Sequence, residues 1–176
     1  MPTLYTGKGD GGTTKFFGPD QKRVSKSSNL VEALGTLDEL NSLLGFVKLK
    51  AGEFSLTLER IQENLFIICA HIAGSDKMLT EDKVKEIEAI IAEAELELPP
   101  ITKFSIAGNT ELSALLDFAR TLARRAERRV VAVHDESENV SPEVLKYLNR
   151  LSSILFALAR LTNLRSGIKE SAPSYN

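Results

Sequence analysis

The chain has 176 residues, 43% of them apolar, and a formal net charge of −2, which is enough for one domain with its own core. The near balance of charge argues against nucleic acid or an anionic membrane surface as a partner. A single cysteine, Cys69, excludes a disulfide framework within the chain and points to a reducing compartment. With no apolar run near the ~20 residues that cross a membrane and no signal-peptide pattern at the amino terminus, a cytoplasmic protein is expected.

Residues 1–24 read as a loop segment. Within it, Tyr5-Thr6-Gly7-Lys8-Gly9-Asp10-Gly11-Gly12-Thr13-Thr14-Lys15 holds four glycines, three threonines, two lysines and one aspartate. So little apolar surface cannot build a core, but it suits an anion. Glycine lets backbone N–H groups approach closely, lysine adds charge and threonine adds hydroxyl donors. Two readings stand here: a phosphate cradle, or a frayed chain end. The pattern Gly-x-Gly-x-x-Gly lacks the preceding strand of a dinucleotide fold. Thr13-Thr14 also stands where a Walker A loop needs Lys-Ser/Thr. A short extended piece is expected at Lys15-Phe16-Phe17, then a turn at Gly18-Pro19-Asp20.

Five helices follow from apolar spacings of three and four. The first spans about 29–50, with Ser27, Ser28 or Asn29 as N-cap; its Gly35 and Gly45 suggest close helix packing or approach to a ligand. The second spans about 55–74, closed by Gly74-Ser75, and the third about 80–97, opened by Thr80 and ended by Pro99-Pro100. The fourth spans about 110–134, with a loop expected over 135–140. The fifth covers about 142–166, opened by Ser141-Pro142-Glu143 and stopped by Gly167. A tail, 167–176, closes the chain, and Ser171–Asn176 reads as frayed. The fold class is all-α: a single-domain five-helix bundle preceded by the glycine-rich loop.

Chemistry concentrates on the fourth helix. Arg120, Arg124 and Arg128 recur every four residues and form one ridge, with Arg125 and Arg129 in an adjacent row. One reading is a solvated basic face near a helix C-terminus. The other is an anion site, since the row is arginine throughout and arginine suits bidentate phosphate contacts. Asp38, mid-helix in a poor position for aspartate, is expected to pair with one of these arginines. Asn149, between leucines on the fifth helix, is either a surface residue or a hydrogen-bond partner for a nucleotide or a facing arginine. Cys69 reads as a small buried hydrophobe and His71 as a core histidine with its ring hydrogen-bonded. No Ser/His/Asp or Cys/His arrangement stands out.

Taken together, Tyr5-Thr6-x-x-Gly9-Asp10-x-Gly12-x-Thr14, Arg23-Val24-x-Lys26, Gly35-Thr36-Leu37-Asp38-Glu39-Leu40-Asn41, Arg124-Arg125-Ala126-Glu127-Arg128 and Tyr147-Leu148-Asn149-Arg150-Leu151-Ser152 resemble the PduO-type ATP:cob(I)alamin adenosyltransferases. The motifs stand in family order from about residue 3 to 165. The resemblance implies a homotrimer of five-helix bundles with active sites between subunits. It implies transfer of the 5′-deoxyadenosyl group of ATP to the cobalt of cob(I)alamin, with triphosphate leaving and Mg²⁺ accompanying the ATP.

By the same resemblance, Thr6, Gly7, Lys8, Gly9, Asp10, Gly11, Gly12, Thr13, Thr14 and Lys15 hold the phosphates with Lys26. Arg124, Arg125, Ala126, Glu127, Arg128 and Asn149 complete the ATP site. Asp38 matches an aspartate that pairs, across the subunit interface, with the arginine at the position of Arg124. Arg124, Arg128 and Asp38 are the implied catalytic residues. Phe104 matches the aromatic that displaces the lower axial ligand of the cobalt. Two positions depart from the family pattern: Ser27 follows Lys26 in place of aspartate, and Ala107-Gly108-Asn109 replaces Pro-Gly-Gly.

Overall fold

A computed structural model describes residues 4–16, 22–137 and 139–175. Among these, five α-helices make up the body: α1 (Asn29–Lys48), α2 (Ser55–Ile72), α3 (Glu81–Glu97), α4 (Glu111–Ser137) and α5 (Pro142–Arg165). A short 3-10 turn, Gly52–Phe54, joins α1 to α2. The expected helices are therefore present, with one extension and one addition. The extension is at the end of α4, where Asp135, Glu136 and Ser137 are helical and not loop. Ser137 donates its hydroxyl to the Val133 carbonyl, and Asn29 donates to Glu136, so tertiary contacts hold the last turn in helix.

The addition is a small antiparallel pair, β1 (Thr13–Lys15) with β2 (Arg23–Ser25), in register Thr14 to Val24. The expected extended piece thus begins at Thr13. Phe17 and the turn expected at Gly18-Pro19-Asp20 lie outside the described residues.

Local chemistry explains the helix starts. Ser28 sits in extended backbone and its hydroxyl accepts the Val31 N–H, capping α1. Pro142 opens α5, where its missing N–H costs nothing. The Ser141 N–H just before it donates to His71 Nε2 at 3.2 Å, so the α2 histidine is hydrogen-bonded through its ring as expected, though it is half-buried at the edge and not in the core.

α5 is the central element. It buries Leu148, Leu151, Ile154, Leu155 and Leu158 and packs against α4 on one side and α3 on the other. α1 lies against α4 and α2. Ion pairs give the directions: Glu32 to Arg129, Glu39 to Arg125 and Lys50 to Glu111 run α1 antiparallel to α4. Glu88 to Arg150 and Glu97 to Arg165 run α3 parallel to α5. A buried pair ties α2 to α5, with Asn64 donating to the Tyr147 hydroxyl at 3.1 Å. No helix of the described chain is long and apolar enough to cross a membrane.

Two glycines of α1 behave differently. A Cβ on Gly45 would lie 3.2 Å from the Gln62 side chain, so α2 packs tightly there. A Cβ on Gly35 would meet nothing within 4 Å, so close packing within this chain does not explain it.

Candidate active site

The glycine-rich loop is built by turns and by the strand pair behind it. Asp10 and Gly12 donate their N–H groups to the Gly7 and Gly9 carbonyls, and Gly7 and Gly12 take the left-handed backbone that glycine tolerates. The Lys26 N–H donates to the Gly12 carbonyl at 2.9 Å, fastening the loop to the end of β2. Arg23 does more of the fastening. Its Nε donates to Thr13 Oγ1 at 2.8 Å and one terminal nitrogen donates to the Thr13 carbonyl at 2.7 Å and to the Lys8 carbonyl.

The result is an open cavity of about 480 Å³ lined by Thr6, Lys8, Gly9, Thr13, Thr14, Lys15, Phe16, Arg23 and Lys26. Seven of these nine are among the residues the resemblance assigns to phosphate. Phe16 and Arg23 are not. Arg23 was visible in the motif Arg23-Val24-x-Lys26, but its contacts across the strand pair are a tertiary fact. Gly9 has a local reason to be glycine: a Cβ there would stand 3.2 Å from Lys26 Nζ and 3.4 Å from its Cε. Asp10, Gly11 and Gly12 shape the loop without lining the cavity.

A second cavity, about 390 Å³, lies where the α3–α4 connection crosses α4 and α5. Phe104, Asp117, Arg120, Arg124, Ser152 and Phe156 are among its walls. Phe104 is 81% exposed and presents its ring at this mouth. Arg120 is held by Asp117 at 3.1 Å and lies 5.9 Å from the centroid of the Phe156 ring. The structure thus brings Phe104 and Arg124 together, and Arg120 with them.

The rest of the arginine set divides by helix face. Arg125 pairs with Glu39, and Arg129 with Glu32 at 4.0 Å. Among the described residues, Arg124 and Arg128 have no carboxylate within salt-bridge distance, and both are exposed. Asp38 is exposed and pairs with none of these arginines within the chain. Within one chain the expected bridge from Asp38 to a fourth-helix arginine is not made, and the neighbouring acid Glu39 reaches α4 instead. One position along a helix is a turn of about 100°, so α4 receives Glu39 and not its neighbour. Asp38 instead lies near enough to Cys69 on α2 to act on it electrostatically. Burial, aided by this charge, pushes the Cys69 thiol up to about 11. That suits an inert hydrophobe and not a nucleophile.

Asn149 does not face an arginine across the bundle. It donates to Glu127 on α4 at 2.8 Å and accepts from its own neighbour Arg150 at 2.7 Å, and Arg150 reaches Glu88 on α3 at 3.0 Å. The chain Glu127–Asn149–Arg150–Glu88 links three helices over the exposed face. Ala126, next to Glu127 on α4, is buried in the core.

Among the described residues, no α4 residue lines the first of these two cavities, and no residue of the glycine-rich loop lines the second. No group of three or more His, Cys, Asp or Glu placed to hold a metal occurs among the described residues.

Comparison with known proteins places this arrangement. The family model described as cobalamin adenosyltransferase matches residues 4–162. A corrinoid adenosyltransferase of Bacillus subtilis is 43% identical over 175 residues, covering 94% of this chain and 89% of that protein. The corrinoid adenosyltransferase PduO of Salmonella typhimurium is 40% identical over 166 residues, covering 89% of this chain but only 48% of that longer protein. Among solved structures, a variant of the PduO-type ATP:corrinoid adenosyltransferase from Lactobacillus reuteri, complexed with cobalamin and ATP, superposes with a TM-score of 0.90. It is 31% identical, with 98% of this chain and 97% of that chain covered. A second variant of that enzyme, complexed with ATP, gives 0.88 at 33% identity over 97% and 99% of the two chains. The fold is therefore that of the PduO-type enzymes, and the chain belongs to the cobalamin adenosyltransferase family. Its activity is that of a corrinoid adenosyltransferase.

Proposed function

We propose that the chain transfers the 5′-deoxyadenosyl group of ATP to cob(I)alamin, using the loop cavity for the triphosphate and the Phe104 cavity for the corrinoid. The observation that carries this reading is the composition of the first cavity. Lys8, Lys15 and Lys26 surround backbone and threonine donors in a space of about 480 Å³. Cobalt in the cob(I) state is itself the nucleophile: its electron pair forms the bond to the 5′ carbon as the carbon–oxygen bond to the triphosphate breaks. No general base is needed. What the protein must supply is preorganised positive charge where the leaving group gains negative charge, and a fixed approach of carbon to cobalt.

Arg124 and Arg128 are the proposed partners of the leaving triphosphate, because both stand exposed on α4 without a salt-bridging acid among the described residues. Since the cradle and the ridge line different cavities, we read the working site as formed between subunits, the loop of one facing α4 of the next, in a homotrimer. Asp38, which pairs with no arginine of its own chain, then meets Arg124 of a neighbour. Asn149 and Glu127, already joined, frame the nucleotide side. Phe104 covers the lower face of the corrinoid cobalt. Mg²⁺ would travel on the phosphate oxygens as part of the substrate; the loop's donors are lysines, threonines and N–H groups with one carboxylate, Asp10, which fits phosphate better than a metal. A reducing cytoplasmic setting agrees with the single free Cys69.

The test is spectroscopic. Under strict anaerobiosis, ATP and chemically reduced cobalamin should convert from the cob(I)alamin to the adenosylcobalamin spectrum in the presence of the protein. Arg128→Ala should lower kcat by about a hundredfold or more, the scale of losing one preorganised donor to a developing charge, with the unfolding temperature unchanged. Near-normal turnover would remove Arg128 from the leaving-group role.

A further inference from the structure

The carboxy-terminal tail beyond α5 is fastened at three points, the last of them at Ser171, where the stretch expected to fray begins. The Ile168 N–H donates to the Asn163 carbonyl at 3.0 Å, turning the chain back after Gly167. Glu170 takes the Arg160 Nε at 3.2 Å. The Ser171 carbonyl accepts the Ile106 N–H at 2.9 Å. The last of these ends two residues from Phe104.

Arg160 is the centre of this arrangement. It is on α5, only 8% exposed, and belongs to none of the motifs that suggested function. An arginine so buried in a helix needs its charge and its fork satisfied. It is satisfied by three different segments. The guanidinium meets the Glu170 carboxylate of the tail. Its terminal nitrogen donates to the Pro99 carbonyl at 3.0 Å, where the α3–α4 connection begins. Its carbon centre lies 5.9 Å from the centroid of the Phe156 ring, which walls the Phe104 cavity and has Arg120 at the same distance. The connection of residues 99–110 has no regular secondary structure and is almost wholly exposed. Its ends are set by α3 and α4, but its middle has few other reasons to stay where it is.

We propose that Arg160 is a positioning residue for the corrinoid side of the reaction. With Glu170 and the Ser171 carbonyl it straps the tail across the 99–110 connection and so fixes where Phe104 stands. This rests on the reading of Phe104 as the residue facing the cobalt. It assigns a positioning role in catalysis to the tail and to a side chain that lines neither the loop cavity nor the Phe104 cavity.

Two variants separate the strap from general stability. Arg160→Met removes the hub, and Glu170→Ala leaves the core intact and cuts only the tail contact. Hydrogen exchange on the intact protein reads the strap directly at the Ile106 amide. The expected result for Glu170→Ala is exchange at Ile106 at least about tenfold faster, since its partner carbonyl is released. The KM for cob(I)alamin should rise about tenfold or more, while the KM for ATP and the unfolding temperature hold, because misplacing one wall of a site raises a barrier without unfolding it. Glu170→Gln should recover part of the loss. Unchanged exchange at Ile106 overturns the strap. Faster exchange with unaltered corrinoid kinetics overturns its coupling to catalysis. In that case Phe104→Ala locates the fault: if it too is silent, the reading of Phe104 has failed, and if it is impaired, the strap has. A loss of ATP and corrinoid affinity together with a lowered unfolding temperature would mean that Arg160 serves the fold alone.

Discussion

Gly9 and Tyr147 illustrate two ways in which a single position carries consequence. At Gly9 the constraint is space, not backbone, since its φ is not left-handed. Gly9→Ala should therefore fold normally but press on Lys26, whose amine is 3.2 Å from the added carbon. The expected result is a KM for ATP raised several-fold with kcat less affected, readable from initial rates at varied ATP. At Tyr147 the constraint is solvation. Burial, only partly offset by the hydrogen bond from Asn64, pushes its hydroxyl from 10.0 up to about 12. The folded state keeps the proton where the unfolded chain gives it up, so stability is complete below about pH 10 and falls as the pH rises toward 12. Tyr147→Phe should flatten this alkaline decline while lowering stability at neutral pH by about 1–2 kcal/mol, because Asn64 loses its partner. Urea titrations at neutral and alkaline pH check both signs. The sequence could not show either effect, because the neighbours concerned are 17 and 83 positions away.

Among elements, the helices were legible because their apolar residues keep a period that only a helix satisfies, as at Leu148, Leu151 and Leu155 of α5. Caps were legible too: Ser28 and Pro142 act locally. What escaped was set from a distance. Asp135-Glu136-Ser137 looks like loop, yet Asn29 and the Val133 carbonyl keep it helical. Thr13–Lys15 is too short to announce a strand without β2 beside it. Choosing between Asp38 and Glu39 as the partner of α4 required the rotation of α1, which composition does not give. The strand pair matters for function because Arg23 lies on it and holds two loop carbonyls and a threonine hydroxyl. Lysine in its place keeps the charge but loses the fork. Arg23→Lys should raise the KM for ATP about tenfold, the worth of one or two charged hydrogen bonds. Its unfolding temperature should stay near that of the parent, since Arg23 is exposed. Thermal melts run beside the kinetic series distinguish this from a folding defect.

At the scale of the molecule, the resemblance supplied the site residues, and the structure places seven of them around the loop cavity and Phe104 and Arg124 at a separate one, with Asp38, Arg128 and Asn149 lining neither. If Asp38 of one subunit meets Arg124 of the next, two inactive variants can complete each other. Mixing Asp38→Ala with Arg124→Ala, after dissociation and reassembly, should regenerate about a quarter of the sites by random pairing in a closed ring. Activity measured against the separate variants checks this, and an inactive mixture would place both residues in one chain's site.

If the site forms between subunits as proposed, the separation of the two cavities also makes concentration a chemical variable. On that reading, a chain that carries the cradle in one place and the ridge in another is half of two sites and the whole of none. On extreme dilution its rate should then fall faster than in proportion to the protein present. Rising ATP should oppose that fall, because a nucleotide gripped from both sides binds two chains to each other as well as to itself. The substrate would be, in this sense, part of the glue of its own enzyme.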